Sequence, residues 1–176
     1  MKLENDARTW PRGPILDAIA PGLDATDRAT LEKRAARWTN EGIILVEGPK
    51  YAGSGRHRRY PAAEVALLAV AETLHQHRLQ IDAIENSIVS LRGDLKYRAG
   101  ANALDLAFAG ICGDSVMPQD TMIAFAQVGD LWHPVAGRSG MGLKVDELAE
   151  YPVIVVLTMT RVLQPLAHLF KEPPHD

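Results

Sequence analysis

Eight cationic side chains, Arg28, Lys33, Arg34, Arg37, Lys50, Arg56, Arg58 and Arg59, fall within residues 28–60, opposed there only by Glu32, Glu41 and Glu47. Guanidinium and ammonium groups neutralise phosphates, and an arginine can also read a guanine edge with two parallel hydrogen bonds. The whole chain carries a net charge of −3, so the local excess of +5 leaves −8 on the remaining residues. Such asymmetry gathers positive potential on one surface and steers a polyanion to it; a solvated charged face is the plain alternative. The arrangement of these side chains on their elements decides between the two.

The first part of the segment has the start and stop chemistry of a helix. Asp24 or Thr26 can cap the free N–H groups, Asp27 sits near the positive end of the dipole, and Gly42 suits the C-terminal stop. Leu31, Ala35 and Trp38 follow spacings of four and three and define an inward face. Thr26, Thr30, Lys33 and Arg37 then form the outward stripe, flanked by Arg28 and Arg34. A shorter helix over Ile15–Ile19, stopped by Pro21-Gly22, precedes it. After Gly42, Ile43–Val46 is a short β-prone run, and turn signals at Glu47-Gly48-Pro49 and Ala52-Gly53-Ser54-Gly55 lead to a returning strand over Arg56–Tyr60. Two strands joined by such a tip predict a wing, whose Lys50, Arg56, His57, Arg58 and Arg59 reach phosphates or a minor groove. Pro61 and Glu64 suit the start of a third helix, with Val65, Leu68, Ala71 and Leu74 on its inner face. Asp82 is placed to cap a fourth helix, in which Ile84, Ile88 and Leu91 repeat at four and three.

Residues from about Ile15 to Leu91 resemble the MerR-type winged helix-turn-helix DNA-binding domain. The resemblance lies in RWTNEGII, similar to that family's Arg-aromatic-x-x-x-Gly-Leu-Leu passage, in GRHRRYPAAEVALLAVAETL, similar to its wing exit and Leu-rich helix, and in LQIDAIENSI, similar to its closing helix. It implies sequence-specific binding of double-stranded DNA by a homodimer, often in transcription regulation. Arg37 and Trp38 match the Arg-aromatic pair closing the reading helix, and Arg58 or Arg59 with Tyr60 matches the wing exit. The chain departs from the family where Gly93 and Gly100 are expected to interrupt a long dimer helix, and in lacking the cysteines of metal-sensing members. The alternatives are a DNA-bending architectural or recombination-directionality factor, or a winged-helix protein-interaction module.

The expected organisation is α+β. It comprises a tail over 1–14 with Trp10 folding back, the winged helix-turn-helix over 15–91, a linker over 92–102, and a small β-rich or α+β domain over 103–172 for dimerisation or partner binding. Two small cores are expected from 176 residues with 47% hydrophobic content. Alternation of Leu104, Leu106 and Phe108 favours a strand over Ala103–Ile111. Further strands are expected at Thr121–Val128 and Tyr151–Val162, with Leu166, Leu169 and Phe170 in a closing turn.

Other chemistries find less support. Asp130, His133 and Ser139 could make a hydrolytic site, but nothing in a Pro- and Gly-broken stretch enforces their approach. Gly137–Gly142 lacks the strand-before, helix-after context of a phosphate loop and reads as a surface turn. His75 and His77 point to different faces of a helix, which is poor ligand geometry, and Met117, Met122, Met141 and Met159 read as core filler. The single Cys112 excludes an intrachain disulfide and cannot alone form a thiolate zinc site. No catalytic residue, metal or cofactor is therefore expected, and no effector is indicated. No apolar run approaches a membrane span and no apolar targeting core opens the sequence, so a cytoplasmic protein without membrane association is expected.

Overall fold

The computed structural model describes residues 3, 6–48, 58–97, 103–113, 121–128, 131–139, 150–151 and 153–171. The architecture is mixed helix and sheet. Strand β1 (Thr9–Pro11) leads into helices α1 (Arg12–Ile19) and α2 (Ala25–Glu41), followed by β2 (Arg59–Pro61), α3 (Ala62–Gln76) and α4 (Ile81–Tyr97). Helix α5 (Ala103–Cys112) precedes strands β3 (Thr121–Val128), β4 (Leu131–Ser139) and β5 (Ile154–Thr158), and two short helices, α6 (Met159–Leu163) and α7 (Ala167–Lys171), end the described chain. Strands β1 and β2 pair antiparallel, and β3 lies between β4 and β5 in a second antiparallel sheet.

Helix α3 is the axis of the molecule. Every side chain from Val65 to Ala71 is buried, as expected of a helix surrounded by partners rather than lying on a surface. It also buries two carboxylates, each paired. Glu72 takes two hydrogen bonds from Arg34 of α2, at 3.0 and 2.6 Å. Glu64 takes two from Arg92 of α4, at 2.7 and 2.9 Å, and a third from the Leu45 backbone N–H at 2.9 Å. Arg92 Nη2 also donates to the Ile43 carbonyl. A buried carboxylate is tolerated when its lone pairs are filled in this way, and the filling fixes how α2, α4 and the turn at 43–45 sit on α3.

Several elements differ from the sequence expectation. The 103–112 segment is a helix, because Leu104, Ala107, Phe108 and Ile111 recur at i, i+3, i+4 and i+7 and all four are buried, while Ala103, Ala107 and Ala109 favour helix. The expected run at Ile43–Val46 forms no strand: Ile43 and Ile44 are buried in the turn after Gly42, and only Glu47 bridges to Arg59. The returning strand pairs instead with β1, within the expected tail, in the register Thr9↔Pro61, Trp10↔Tyr60, Pro11↔Arg59. Gly93 does not interrupt α4, which continues to Tyr97. The Pro-containing stretch at 131–139 is a strand, with Pro134 at the register shift opposite Ala124/Phe125, where a missing N–H is tolerated. Its six-residue spacing puts the backbones of His133 and Ser139 roughly 20 Å apart along one strand, far beyond hydrogen-bond reach. The expected strand after Tyr151 is confined to Ile154–Thr158 before the chain turns helical.

In place of two cores there is one continuous cluster of buried side chains running from Leu3 and Trp10 through α1–α5 to Phe170. Its aromatic junction joins the two ends of the described chain. The Phe170 ring meets Trp10 edge-on at 5.4 Å and Phe108 edge-on at 4.8 Å, a favoured arrangement for ring quadrupoles. Arg8 lies over Trp10, donates to the Phe170 carbonyl and binds Asp6.

That arrangement gives an acid-sensitive contact. Burial pushes the Asp6 carboxyl up, but hydrogen bonds from the Arg8 side chain and backbone outweigh it and hold the group below its ordinary value near 3.8. A carboxylate with a lowered folded-state pKa stabilises the fold above the unfolded value and loses that contribution as pH falls through the folded value. Asp6→Asn is therefore expected to lower the melting temperature at neutral pH. The gap to the parent should close as the pH falls below about 3.8; thermal unfolding followed by circular dichroism from pH 7 to pH 2.5 measures it, and a gap independent of pH would remove Asp6 from this role.

Candidate nucleic-acid interface

Helix α2 is set by local chemistry at both ends. The Asp24 carboxylate accepts from the N–H groups of Thr26 and Asp27 at 2.8 and 2.9 Å, and the positive φ of 81° at Gly42 turns the chain so that the Ile43 N–H reaches the Trp38 carbonyl. Leu31, Ala35 and Trp38 are buried, with Trp38 edge-on to His75 of α3. The inward face is therefore the expected one. On the outward side Thr26, Thr30, Lys33, Arg37 and Asn40 are exposed.

The cations divide sharply. Lys33 and Arg37 face solvent; Arg37 is 62% exposed and bound to Glu41 one turn on at 2.7 Å. Arg58, arriving from the other side of the 49–57 segment, donates to the Asn40 side chain at 2.9 Å, which puts its guanidinium at the C-terminal end of the same stripe. Lys33, Arg37 and Asn40 thus make one exposed ridge, with the half-buried Arg58 at its end. Thr30 lies one turn earlier, with its hydroxyl donating back to the Thr26 carbonyl.

The other expected contacts are turned inward. Arg34 is paired with Glu72, and Arg28 binds Asp17 at 2.7 Å and the Gly13 carbonyl at 3.0 Å, locking α2 to α1. Arg59 donates through Nε and Nη2 to the Thr9 hydroxyl and carbonyl, at 2.9 and 3.0 Å. Trp38 and Tyr60 are enclosed, at 0% and 1% exposure, and Tyr60 meets the Thr39 hydroxyl at 3.1 Å. All five sit where they hold the ridge in place rather than on it. Lys50, Arg56 and His57 lie outside the described residues.

Sequence reasoning passed over Asn40 and Thr9. Asn40 was within reach, because it follows Lys33 and Arg37 at seven and three positions and so shares their stripe. Thr9 carried no local signal, since its role depends on a strand pairing made 50 residues away. Among the described residues no group of three His, Cys, Asp or Glu is placed to hold a metal ion, and no helix is long and apolar enough to cross a membrane. No protein-family model, curated protein or solved structure matches the chain.

Proposed function

We propose that the chain is a sequence-specific regulator that binds double-stranded DNA through a winged helix-turn-helix, with α2 in the major groove, the 47–59 segment beside it, and a dimer reading two half-sites. The observation that carries the reading is the ridge itself. A helix anchored by Leu31, Ala35 and Trp38 exposes Thr30, Lys33, Arg37 and Asn40 on one stripe, and Asn40 brings Arg58 to its end. Amide, hydroxyl and guanidinium groups in line on the exposed face of a helix suit base edges, and a second element delivering a cation beside them suits the adjoining phosphates. The short helix α1, the tight Pro21-Gly22 corner and the β1–β2 ladder support the same docking frame, as does the resemblance to MerR-type domains.

Selection of bound sequences from random duplexes is the direct test. Enrichment of an inverted repeat is expected; recovery of no preferred sequence argues for the bending or interaction roles instead. Within the ridge the side chains separate by what they do. Arg58→Ala is expected to weaken binding across all sequences and to flatten the dependence of log K on log salt by about one unit, the signature of one lost phosphate contact. Lys33→Ala and Arg37→Ala are expected to change the selected sequence, with a cost of about 1–3 kcal/mol at the affected base pair. Equal losses on every duplex would make both positioning contacts.

A further inference from the structure

The small sheet beneath the ridge is the weakest part of its support and the part most dependent on distant residues. Strands β1 and β2 have three residues each, and an isolated pair of that size does not hold together in water. Residue 59 is nonetheless fastened on two sides. Its backbone exchanges both hydrogen bonds with Glu47, at 2.8 and 3.1 Å, and its side chain grips Thr9 of β1 through two more. Arg58, the ridge cation, is the residue next to it.

What keeps β1 in place comes from the far end of the chain. Trp10, at the centre of β1, is 3% exposed and packs edge-on against Phe170 of α7. Arg8, just before β1, donates to the Phe170 carbonyl. Phe170 is in turn backed by Phe108 of α5, so its ring sits between α5 and β1.

We propose that Phe170 is a positioning residue for the DNA-binding ridge. Docked, α7 presses β1 onto β2 and fixes Arg59, and through it Arg58. Undocked, it frees Arg59 from Thr9 and Glu47 and weakens binding, so any event that displaces α7 regulates the interface without touching it. The inference rests on the DNA-binding reading for its consequence but on the β1–β2 ladder alone for its mechanism, and the two are separable.

The test is hydrogen exchange on the full chain carrying Phe170→Ala, with Leu163→Ala as the comparison. Leu163 is equally buried, in the neighbouring helix α6, but is not one of the three rings of the Trp10–Phe170–Phe108 junction. Phe170→Ala is expected to speed exchange at the amides of Thr9, Trp10, Glu47, Arg59 and Tyr60 by tenfold or more while the amides of Val65–Ala71 keep their protection. It is also expected to lower affinity for mixed duplex DNA about tenfold. Leu163→Ala should leave both the ladder and the affinity near the parent values. Unchanged exchange at Arg59 and Tyr60 in Phe170→Ala overturns the proposal, as does an equal rise there and in α3, or the same pattern from Leu163→Ala. Should the alanine variant fail to fold, Phe170→Leu, which keeps an apolar plug but loses both edge-on contacts, is expected to give the same pattern at smaller amplitude. If the parent protein binds no duplex even at low salt, the DNA-binding reading fails while the exchange pattern still decides the clamp.

Discussion

Glu64→Ala is expected to cost about 3–5 kcal/mol of folding stability, the range for removing one partner of a buried ion pair. The carboxylate is 7% exposed and serves three donors at once: Arg92 Nε, Arg92 Nη2 and the Leu45 N–H. Its loss leaves a guanidinium, itself only 25% exposed, held against the Ile43 carbonyl without its counter-charge, and a backbone N–H without an acceptor. For a chain of this length that corresponds to a fall in melting temperature of about 6–20 °C. Urea unfolding of Glu64→Ala, Arg92→Ala and the double variant checks it. The double variant is expected to be less destabilised than the two singles combined, since the second removal takes away a charge the first left stranded. Strict additivity, or a loss under about 1 kcal/mol, would show that the α3–α4 junction is held by packing alone.

The second large effect lies on α2. Trp38→Ala is expected to cost about 3–5 kcal/mol, because the side chain is fully buried and forms the deepest anchor of α2 on α3. Trp38→Phe is expected to cost much less, under about 1.5 kcal/mol, for a specific reason. The indole Nε1 is buried yet finds no hydrogen-bond acceptor among the described residues, so the smaller ring forfeits volume but no polar contact. Thermal and urea unfolding of the pair give the comparison, and a phenylalanine variant as damaged as the alanine one would point to a polar role for the indole. In DNA binding the two should separate likewise: Phe retains the ridge, whereas Ala loosens the helix that carries it.

Both predictions show where sequence reasoning reaches and where it stops. The limits and faces of α2 were readable because their causes are local. A carboxylate two and three residues before the N–H groups it caps, a glycine that can take positive φ, and Leu31, Ala35 and Trp38 at helical spacing all act within one or two turns. The same holds for Val65, Leu68, Ala71 and Leu74 of α3 and for Ile84, Ile88 and Leu91 of α4. Where a short apolar segment admitted two periods, as at Leu104–Ile111, the strand reading lost to a helix whose buried face is the set at i, i+3, i+4 and i+7.

The cationic segment at 28–60 is the clearest division of labour. Sequence alone determined that positive charge gathers in residues 28–60 and that Lys33 and Arg37 share an outward stripe, because charge and helical phase are properties of the chain itself. It could not determine which arginines remain for a ligand. Arg34, Arg28 and Arg59 are turned inward by Glu72, Asp17 and Thr9, partners 38, 11 and 50 residues away, whose approach only the packed fold creates. The same long-range closure brings Phe170 onto Trp10 and makes Thr9–Pro11, within the expected tail, a strand. A guanidinium bonds to whatever acceptor the fold delivers within about 3 Å; that choice belongs to tertiary structure.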